Sequence, residues 1–468
     1  MSRRMSKLSI LAAALALLAC QTAQAVGPFQ IYEQALRNDP VFLGAIKERD
    51  AGLENRAIGR AGLLPKVGYS YNKGHNNSKV SYLDTVRGTI TEKRNYDSYG
   101  SSLTLQQPLI DYEAYANYRK GVAQALFADE NFRGKSQELL VRVLSYYTKA
   151  LFAQDQIDIA LAKKKAFEQQ FQQNRHMFQQ GEGTRTDILE AESRYELATA
   201  EEIEARDEQD AALRELAALT GEPNLDVRDL DPLQEDFQSF SLTPANYDTW
   251  HEMALSNNPV LASQRQRVEV ARYEVERNRA GHLPKLSAYA TLRQNESESG
   301  NTYNQRYDTN TIGIEVSVPL YAGGGVSAST RQASRSMEQA EYELDGKTRE
   351  TLIELRRQFS ACLSGVSKLR AYQKALTSAE ALVVSTKQSI LGGERVNLDA
   401  LNAEQQLYTT RRDLAQARYD YLMAWTKLHY YAGTLREEDL ARVDEAFGQR
   451  AALGGLADRR LRDNKKEE

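Results

Sequence analysis

Two glycine turns in the chain are each followed by polar and charged side chains. They are Gly181, Gly183, Thr186 and Asp187 in the first turn, and Gly392, Gly393, Arg395 and Asp399 in the second. Each aspartate falls in the opening turn of a predicted helix, where the helix dipole stabilises a carboxylate by about 0.3 to 1 kcal/mol. The arginine has an equally ordinary interpretation as a solvated surface residue. These charges therefore have a structural explanation that requires neither a ligand nor a reaction.

Motifs for catalysis, phosphate binding and metal binding each lack a required residue. His251-Glu252 begins like the HExxH motif of zinc proteases, but Leu255 stands where the second histidine is needed. Gly323-Gly-Gly325 is not followed by the Lys-Ser/Thr of a phosphate-binding loop. The five histidines make no close pair and the two cysteines no thiol pair, so the spacing of a zinc site is missing. The sequence therefore predicts neither an enzyme nor a cofactor.

Composition narrows the classes further. The chain has 60 Lys and Arg against 64 Asp and Glu, a formal net charge of -4, and no basic stripe, so nucleic acid is not predicted as a partner. With a mean hydropathy of -0.59 and 26% charged residues, the chain does not resemble a helical membrane protein. After removal of a leader only Cys362 remains, which cannot form an intramolecular disulfide, so stability must come from packing or assembly.

The first 25 residues have the pattern of a secretory signal peptide. Arg3, Arg4 and Lys7 precede an apolar run, and Ala23-Gln-Ala25 provides a small-x-small cleavage site. The apolar run of 8–19 is too short to span a bilayer as an anchor. An alternative is a bacterial lipoprotein signal in which Cys20 becomes the lipidated N-terminus. Both alternatives predict export from the cytoplasm.

The chain is an internal duplication. RAGLLPK at 60–66 returns as RAGHLPK at 279–285, and ALxNxPV at 35–41 returns at 254–260. Repetition on this scale indicates two structural units of one kind. Each is predicted to contain a helix, a β-hairpin, a long coiled-coil helix and a shorter helix. The helix-to-strand and strand-to-helix junctions fall at prolines, which cannot continue a helix: Pro65, Pro108, Pro284 and Pro319.

The predicted boundaries follow from these signals. After the leader 1–25, they are a first repeat 26–230 (hairpin about 66–108, long helix about 113–178, helix about 186–220), a linker 231–247, a second repeat 248–440 (hairpin about 285–319, long helix about 327–390, helix about 398–432) and a charged C-terminal segment 441–468. Each repeat opens with one helix of about 35 residues, 29–63 or 248–282.

Apolar residues seven apart predict a coiled-coil seam in both long helices. The second helix has Leu355, Cys362, Leu369, Leu376, Val383 and Ile390, with Leu352, Phe359 and Val366 between them. The first helix has Val143, Ala150, Ile157, Phe171 and Phe178. A helix of this length extends about 100 Å at 1.5 Å per residue. The two shorter helices of a repeat together match that length, so we expect them to stack end to end beside it. The glycine turns then lie at the end opposite the hairpin.

The hairpin segments are long enough to cross a bilayer as tilted strands of 9–11 residues. Ile312, Ile314, Val316 and Val318 alternate with smaller or polar residues, which is typical of a strand with one apolar face. Clustered tyrosines suggest an interfacial aromatic girdle: Tyr69, Tyr71, Tyr82, Tyr96, Tyr99, Tyr289, Tyr303, Tyr307 and Tyr321. Because four strands cannot close a barrel, further copies of the chain are then required. An ordinary soluble hairpin with tyrosines on its faces remains the alternative.

Taken together, the order of these elements and the ending ARYDYL at 417–422 resemble the TolC family of outer-membrane channel-tunnels over essentially the whole mature chain. The resemblance implies a mainly α-helical fold with a membrane β-barrel contribution. It implies a homotrimer with a twelve-stranded barrel in the outer membrane and a helical tunnel in the periplasm. It also implies a periplasmic adaptor, an inner-membrane transporter, contact with outer-membrane lipid and a secreted protein in transit. Within the family the chain is most similar to the type I secretion branch.

The resemblance also assigns roles to the charged turns. The family's Gly-x-Arg-x-x-x-Asp matches Gly393 to Asp399, so Asp399 would form a ring of charge at the closed periplasmic aperture. Arg395 would be a latch donor towards Thr186 or Asp187 of the other half. Two positions depart from the pattern, because Asn402 replaces a second acidic residue and Ile390 replaces a tyrosine. We therefore expect a single carboxylate ring and a weaker latch.

Three functions remain open at the level of sequence. The first is the passive outer-membrane export duct of a type I secretion system, driven by an ABC transporter in the inner membrane. The second is the duct of a multidrug efflux pump. The third, from another class, is a periplasmic coiled-coil scaffold without a pore. The duct predicts a protein that requires detergent for extraction, whereas the scaffold predicts one that does not.

Overall fold

A computed structural model describes residues 26–234, 237–299, 302–392 and 394–448. Within these ranges the helices are α1 Pro28–Asn38, α2 Pro40–Leu53, α3 Asn55–Ala61, α4 Tyr112–Gln179, α5 Arg185–Thr220, α6 Tyr247–Asn257, α7 Pro259–Arg279, α8 Gly325–Leu391, α9 Asn397–Ala432 and α10 Glu437–Asp444. The strands are β1 Lys66–Asp84, β2 Gly88–Ile110, β3 Lys285–Glu296 and β4 Arg306–Ser317. The predicted leader and Gly393 lie outside the described residues.

The chain divides into two compact units. The first comprises residues up to Ile46, Arg133–Asn258 and the residues from Arg349 onwards, and it contains both glycine turns. The second comprises Lys47–Phe132 and Pro259–Thr348, and it contains the whole sheet. None of the described helices is both long enough and apolar enough to cross a bilayer.

The helix that opens each repeat differs from the sequence prediction, because it is interrupted. The prediction was one helix over 29–63 and one over 248–282, but α1 ends before Pro40 and α6 ends before Pro259. The residues before these prolines, Asp39 and Asn258, have extended backbones with ψ of 113° and 119°. A proline disfavours the helical conformation of its predecessor, which accounts for both breaks.

The residues at these breaks are buried and well bonded. Asp39 is 3% exposed; its Oδ2 accepts a hydrogen bond from the Phe42 amide at 2.9 Å and another from the Arg142 guanidinium. Asn258 is 2% exposed and donates from Nδ2 to the Tyr431 carbonyl at 2.8 Å. The repeated ALxNxPV motif therefore marks two anchored helix breaks.

The four strands form one antiparallel sheet in the order β1-β2-β3-β4. The register pairs Tyr69 with Leu103, Leu103 with Leu292, and Ala290 with Ile312. Residues directly opposite one another share a face of the sheet. One face therefore carries an exposed apolar set: Val67, Tyr69, Tyr71, Leu103, Leu105, Leu292, Ile312, Ile314 and Val316. The other face is mainly polar, as in the paired Thr291 and Thr311.

The tyrosines of the predicted girdle are divided between the two faces of the sheet. Tyr69, Tyr71 and Tyr99 lie on the apolar face, and the rings of Tyr71 and Tyr99 are 6.1 Å apart. Tyr289 lies on the polar face, where its ring covers Gly313 so closely that a Cβ there would lie 2.7 Å from the ring. Composition identified the cluster of tyrosines, but only the register assigns each to a face.

The predicted seam of α8 is largely confirmed. Leu355, Phe359, Cys362 and Leu369 are buried, with Ala379 and Thr386 continuing the line. The seam of α4 follows the prediction fully as far as Ile157 and then only in part, since the predicted Phe171 is partly buried at the edge of a core cluster. Beyond Ile157 the buried positions are Ala160, Lys163, Phe167, Gln170 and Asn174, and Phe178 is 44% exposed. Three of these buried residues, Lys163, Gln170 and Asn174, are polar, so the spacing of apolar residues could not reveal this part of the seam.

Aromatic residues fill the core of the first unit. Trp250 and Trp425 are each at most 2% exposed, and both contact His429, with ring centroids 5.0 and 4.3 Å away. The Trp250 indole donates to the Pro244 carbonyl at 2.8 Å, and the Tyr421 hydroxyl donates to the Phe240 carbonyl at 2.7 Å. The predicted linker is thus bonded into this core.

We expect His429 to make stability depend on pH. Burial among aromatic rings lowers the pKa of His429, Arg442 acts in the same direction, and Asp439 opposes it. In the unfolded chain a histidine titrates near pH 6.5. Its contribution to stability is therefore complete above about pH 6.5 and is lost as pH falls through the lowered folded value. The thermal midpoint of wild type should decrease more steeply between pH 7 and 5 than that of His429→Phe. The exposed His282→Gln serves as the control and should retain the wild-type slope.

Candidate functional site

The first glycine turn closes α4 and opens α5. Gly181 has a φ of +84°, a left-handed conformation that favours glycine. The Glu182 amide donates to the Met177 carbonyl at 2.9 Å, so the last turn of α4 is closed by backbone bonds. The buried Asn174 donates to the Asp187 carbonyl at 3.0 Å. That bond ties the start of α5 to the preceding helix.

Asp187 is engaged in a capping box. Its Oδ2 accepts from the Thr184 amide at 3.0 Å and from the Thr184 hydroxyl at 2.7 Å. The Thr184 hydroxyl in turn accepts from the Asp187 amide at 3.1 Å. This arrangement satisfies backbone donors that a helix start leaves free. Sequence reasoning did not assign Thr184, although its Thr-x-x-Asp spacing carries that signal. Thr186, next to this box, is exposed.

The second turn is built differently. The Gly392 amide donates to the Gln388 carbonyl at 3.1 Å and the Glu394 amide to the Ser389 carbonyl at 2.9 Å. Val396 occupies the N-cap position of α9, so its side chain cannot cap the helix. The Asp399 amide bonds to the Val396 carbonyl at 3.0 Å. Within the described residues the Asp399 carboxylate has no hydrogen bond or ion pair, which distinguishes it from Asp187.

The structure of one chain does not bring the predicted latch together. Arg395 is exposed, and no hydrogen bond or ion pair among the described residues joins it to Thr186 or Asp187. A different contact connects the two halves here. The Arg194 guanidinium on α5 donates to the Asn402 side-chain oxygen on α9 at 3.2 Å. Asn402 is the position at which the family resemblance leads one to expect an acid. Nothing in the sequence identified Arg194 as its partner.

Apolar packing holds the helices of both turns together. Phe167 of α4, Ala191 and Ala198 of α5, and Leu401 of α9 form one buried cluster. Phe171 stacks on Tyr195 at its edge, with planes 8° apart. The start of α9, with Asp399, is thereby packed against the helices of the first turn.

Ion pairs with one buried member each lie near this cluster, two between α4 and α5 and one between α8 and α9. Lys163, which is 5% exposed, pairs with Glu201 at 2.5 Å, and Lys387 pairs with the buried Glu404 at 2.6 Å. Glu202, also buried, accepts from Lys164 at 2.8 Å, and this bond lowers the pKa of Glu202. The lowered pKa keeps the Glu202 carboxylate ionised at neutral pH. Within the described residues no group of three His, Cys, Asp or Glu side chains is arranged to hold a metal.

Comparison with known proteins gives consistent matches. The model of the family described as "Outer membrane efflux protein" matches residues 31–222 and 250–434. The chain is 54% identical to the alkaline protease secretion protein AprF of Pseudomonas aeruginosa, over 93% of this chain and 90% of that protein. It is 46% identical to the proteases secretion protein PrtF of Dickeya chrysanthemi, over 91% and 92%. It is 26% identical to the outer membrane protein TolC of Escherichia coli, over 91% and 86%.

Solved structures share the fold at low sequence identity. The outer membrane protein VceC of Vibrio cholerae matches with a TM-score of 0.74 and 16% identity, over 86% of this chain and 95% of that one. The MtrE outer membrane channel of Neisseria gonorrhoeae matches with a TM-score of 0.73 and 17% identity, over 89% and 92%.

Proposed function

The chain belongs to the outer membrane efflux protein family, and on that premise we propose that three copies form a duct through which a secreted protein leaves the cell. The predicted family, TolC-like fold, outer-membrane location and type I secretion branch are confirmed by the matches. AprF and PrtF are secretion proteins for proteases. We therefore propose a secreted protease as the substrate class.

The sheet is the observation that carries this proposal. Its apolar face is exposed in a single chain, and Ile312 and Ile314 are 89% and 69% exposed. Its end strands, β1 and β4, each have one edge without a partner strand among the described residues. Lipid tolerates neither an open edge nor unpaired backbone groups. Three copies give twelve strands, with the apolar faces towards lipid and the polar faces lining a pore.

The partners follow from the family rather than from the chain itself. A passive duct contains no energy source, so we propose that an inner-membrane ABC transporter and a periplasmic adaptor protein supply the substrate. The glycine turns would lie at the periplasmic aperture. There we propose that Arg395 of one protomer reaches Thr186 or Asp187 of its neighbour, since the described residues of one chain show no such bond.

We predict that Asp399 sets the ion selectivity of the aperture. Its carboxylate has no hydrogen bond or ion pair within the described residues, so three symmetry copies would concentrate negative charge and favour cations. Purified trimers in a planar lipid bilayer should be cation-selective, and Asp399→Asn should reduce this selectivity several-fold. Asp210→Asn is the matched control, because Asp210 lies on α5 away from the glycine turns, pairs with Arg214 at 2.6 Å, and should leave the selectivity unchanged.

Three results would count against these assignments. Equal ion selectivity of Asp399→Asn and wild type would show that Asp399 does not set the selectivity of the aperture. Unchanged conductance of an Arg395→Ala variant would show that Arg395 does not form a latch. Well-folded protein that stays dispersed without detergent and forms no channels would overturn the duct itself.

A further inference from the structure

The first hairpin is much longer than the second. β1 pairs with β2 as far as the row of Asp84 and Gly88, next to the turn. β2 pairs with β3 only from Tyr99 onwards, where Tyr99 lies opposite Glu296, so the residues of β2 before Tyr99 pair with β1 alone. Residues 74–98 therefore form a two-stranded extension that we call the free ribbon. At about 3.3 Å per residue, its eleven paired rows extend about 35 Å beyond the four-stranded sheet.

One face of the free ribbon continues the apolar face of the sheet. The register pairs Tyr71 with Ser101 and Lys73 with Tyr99, and His75 with Asp97 in the next row on that face. Beyond the tyrosines this face therefore carries mainly polar and charged side chains, and Leu83 next to the turn is its one large exposed apolar residue among the described residues. This sequence of apolar, aromatic and basic residues matches the successive layers of a membrane surface.

Further along the same face, two lysines lie directly opposite each other. Lys79 pairs with Lys93, between the rows Asn77 with Asn95 and Ser81 with Thr91. Like charges in this position destabilise an antiparallel pair. Neither lysine has an ion pair or hydrogen bond within the described part of the chain. An anion between them would remove this repulsion.

The opposite face of the ribbon has no such excess of charge. Arg94 pairs with Glu92 at 2.8 Å, and the Tyr82 hydroxyl donates to Glu92 at 3.2 Å. The asymmetry between the faces matters because the chain as a whole is acidic, with a net charge of -4. Unpaired positive charge is therefore concentrated on the face that continues the lipid-facing surface.

We propose that this face of the free ribbon binds phosphate groups of lipid headgroups at the outer surface of the membrane, with Lys79 and Lys93 as the phosphate ligands. Lysine ammonium groups bind phosphate as point charges and need no fixed geometry. Continuity with the apolar face brings lipid to the ribbon. The interaction would hold the ribbon against the bilayer beside the pore mouth. This inference rests on the proposed membrane position of the sheet.

The test uses the full mature protein in detergent, with dioleoyl phosphatidic acid as the probe and dioleoylglycerol as the same lipid without phosphate. Native mass spectrometry measures the retained lipid. Wild type should retain the phosphate lipid preferentially, and the Lys79→Gln/Lys93→Gln variant should retain at least about ten-fold less, the scale expected for two lysines at an anionic surface. Arg94→Gln, on the opposite face of the same ribbon, is the matched control and should retain as much as wild type.

Two outcomes would overturn the proposal. One is equal retention by the double variant and wild type. The other is complete displacement by millimolar inorganic phosphate, which would indicate a site for free phosphate. Bilayer conductance of the same samples separates this proposal from the duct. Intact channels with no phosphate preference would reject lipid binding alone, whereas absent channels in wild type would reject the duct.

Discussion

Ile314→Lys is expected to abolish insertion of the protein into the outer membrane. Ile314 is 69% exposed on the apolar face, and it pairs with Ala288 in an inner row of that face. A lysine on the lipid-facing side at the bilayer midplane costs about 2 to 4 kcal/mol. The duct would bear this cost three times, once in each copy. The total of roughly 6 to 12 kcal/mol is comparable with the whole stability of a domain.

The control for this variant lies three residues away on the same strand. Thr311→Lys places the same side chain on the polar face, opposite Thr291, where the proposed pore is wet. It should insert and form SDS-resistant trimers like wild type. Fractionation of cell membranes and unheated SDS gels measure both properties. Normal insertion of Ile314→Lys, or equal failure of both variants, would contradict the assignment of the two faces.

Asp39→Ala is expected to lower the free energy of unfolding by about 3 kcal/mol or more. The substitution removes the cap of the Phe42 amide and leaves Arg142 without its carboxylate partner. Breaking a buried ion pair by deleting one partner costs about 3 to 5 kcal/mol, because the other charge stays buried. Arg142 is 23% exposed, which places the expected loss at the lower end of that range.

Asp50→Ala provides the matched control for Asp39. Its carboxylate is half exposed and pairs with Lys47, which is 80% exposed. Surface pairs of this kind contribute about 0 to 1 kcal/mol. Thermal unfolding followed by circular dichroism in detergent should show a large decrease for Asp39→Ala and almost none for Asp50→Ala. Similar midpoints for the two variants would show that water replaces the carboxylate at Asp39.

The parts of the fold that repeat a simple pattern were predictable from the sequence. The seven-residue spacing of Leu355, Cys362 and Leu369 placed the seam of α8, and the alternation at Ile312 and Ile314 placed β4. Both patterns depend on one physical requirement, that apolar side chains recur on one face of a regular element. Prolines marked only some of the element ends. Pro65 and Pro284 follow the ends of helical segments, whereas Pro108 lies inside β2 and the breaks before Pro40 and Pro259 were missed.

Other features depend on polar residues in positions that a pattern assigns to apolar ones. Asn174 and Thr386 occupy buried seam positions, so the spacing of apolar residues passes over them. The free ribbon was not predicted as strands, because polar residues such as Lys79 and Lys93 replace the apolar residues whose alternation indicates a strand. The bond between Arg194 and Asn402 joins residues of different helices and has no local signal. The capping box, by contrast, could have been predicted, since the Thr-x-x-Asp spacing of Thr184 and Asp187 is its sequence signature.

The buried cysteine of α8 has a practical consequence for studies of topology in living cells. Cys362 is fully buried, and burial raises the pKa of its thiol to about 12, so at neutral pH it is neither ionised nor accessible to reagents. Among the described residues it is the only cysteine. Val86 is 90% exposed at the turn of the free ribbon. A Val86→Cys thiol would therefore react with such reagents, whereas Cys362 would not. Impermeant maleimide dyes added outside the cell could then report on this one site without prior removal of the native cysteine.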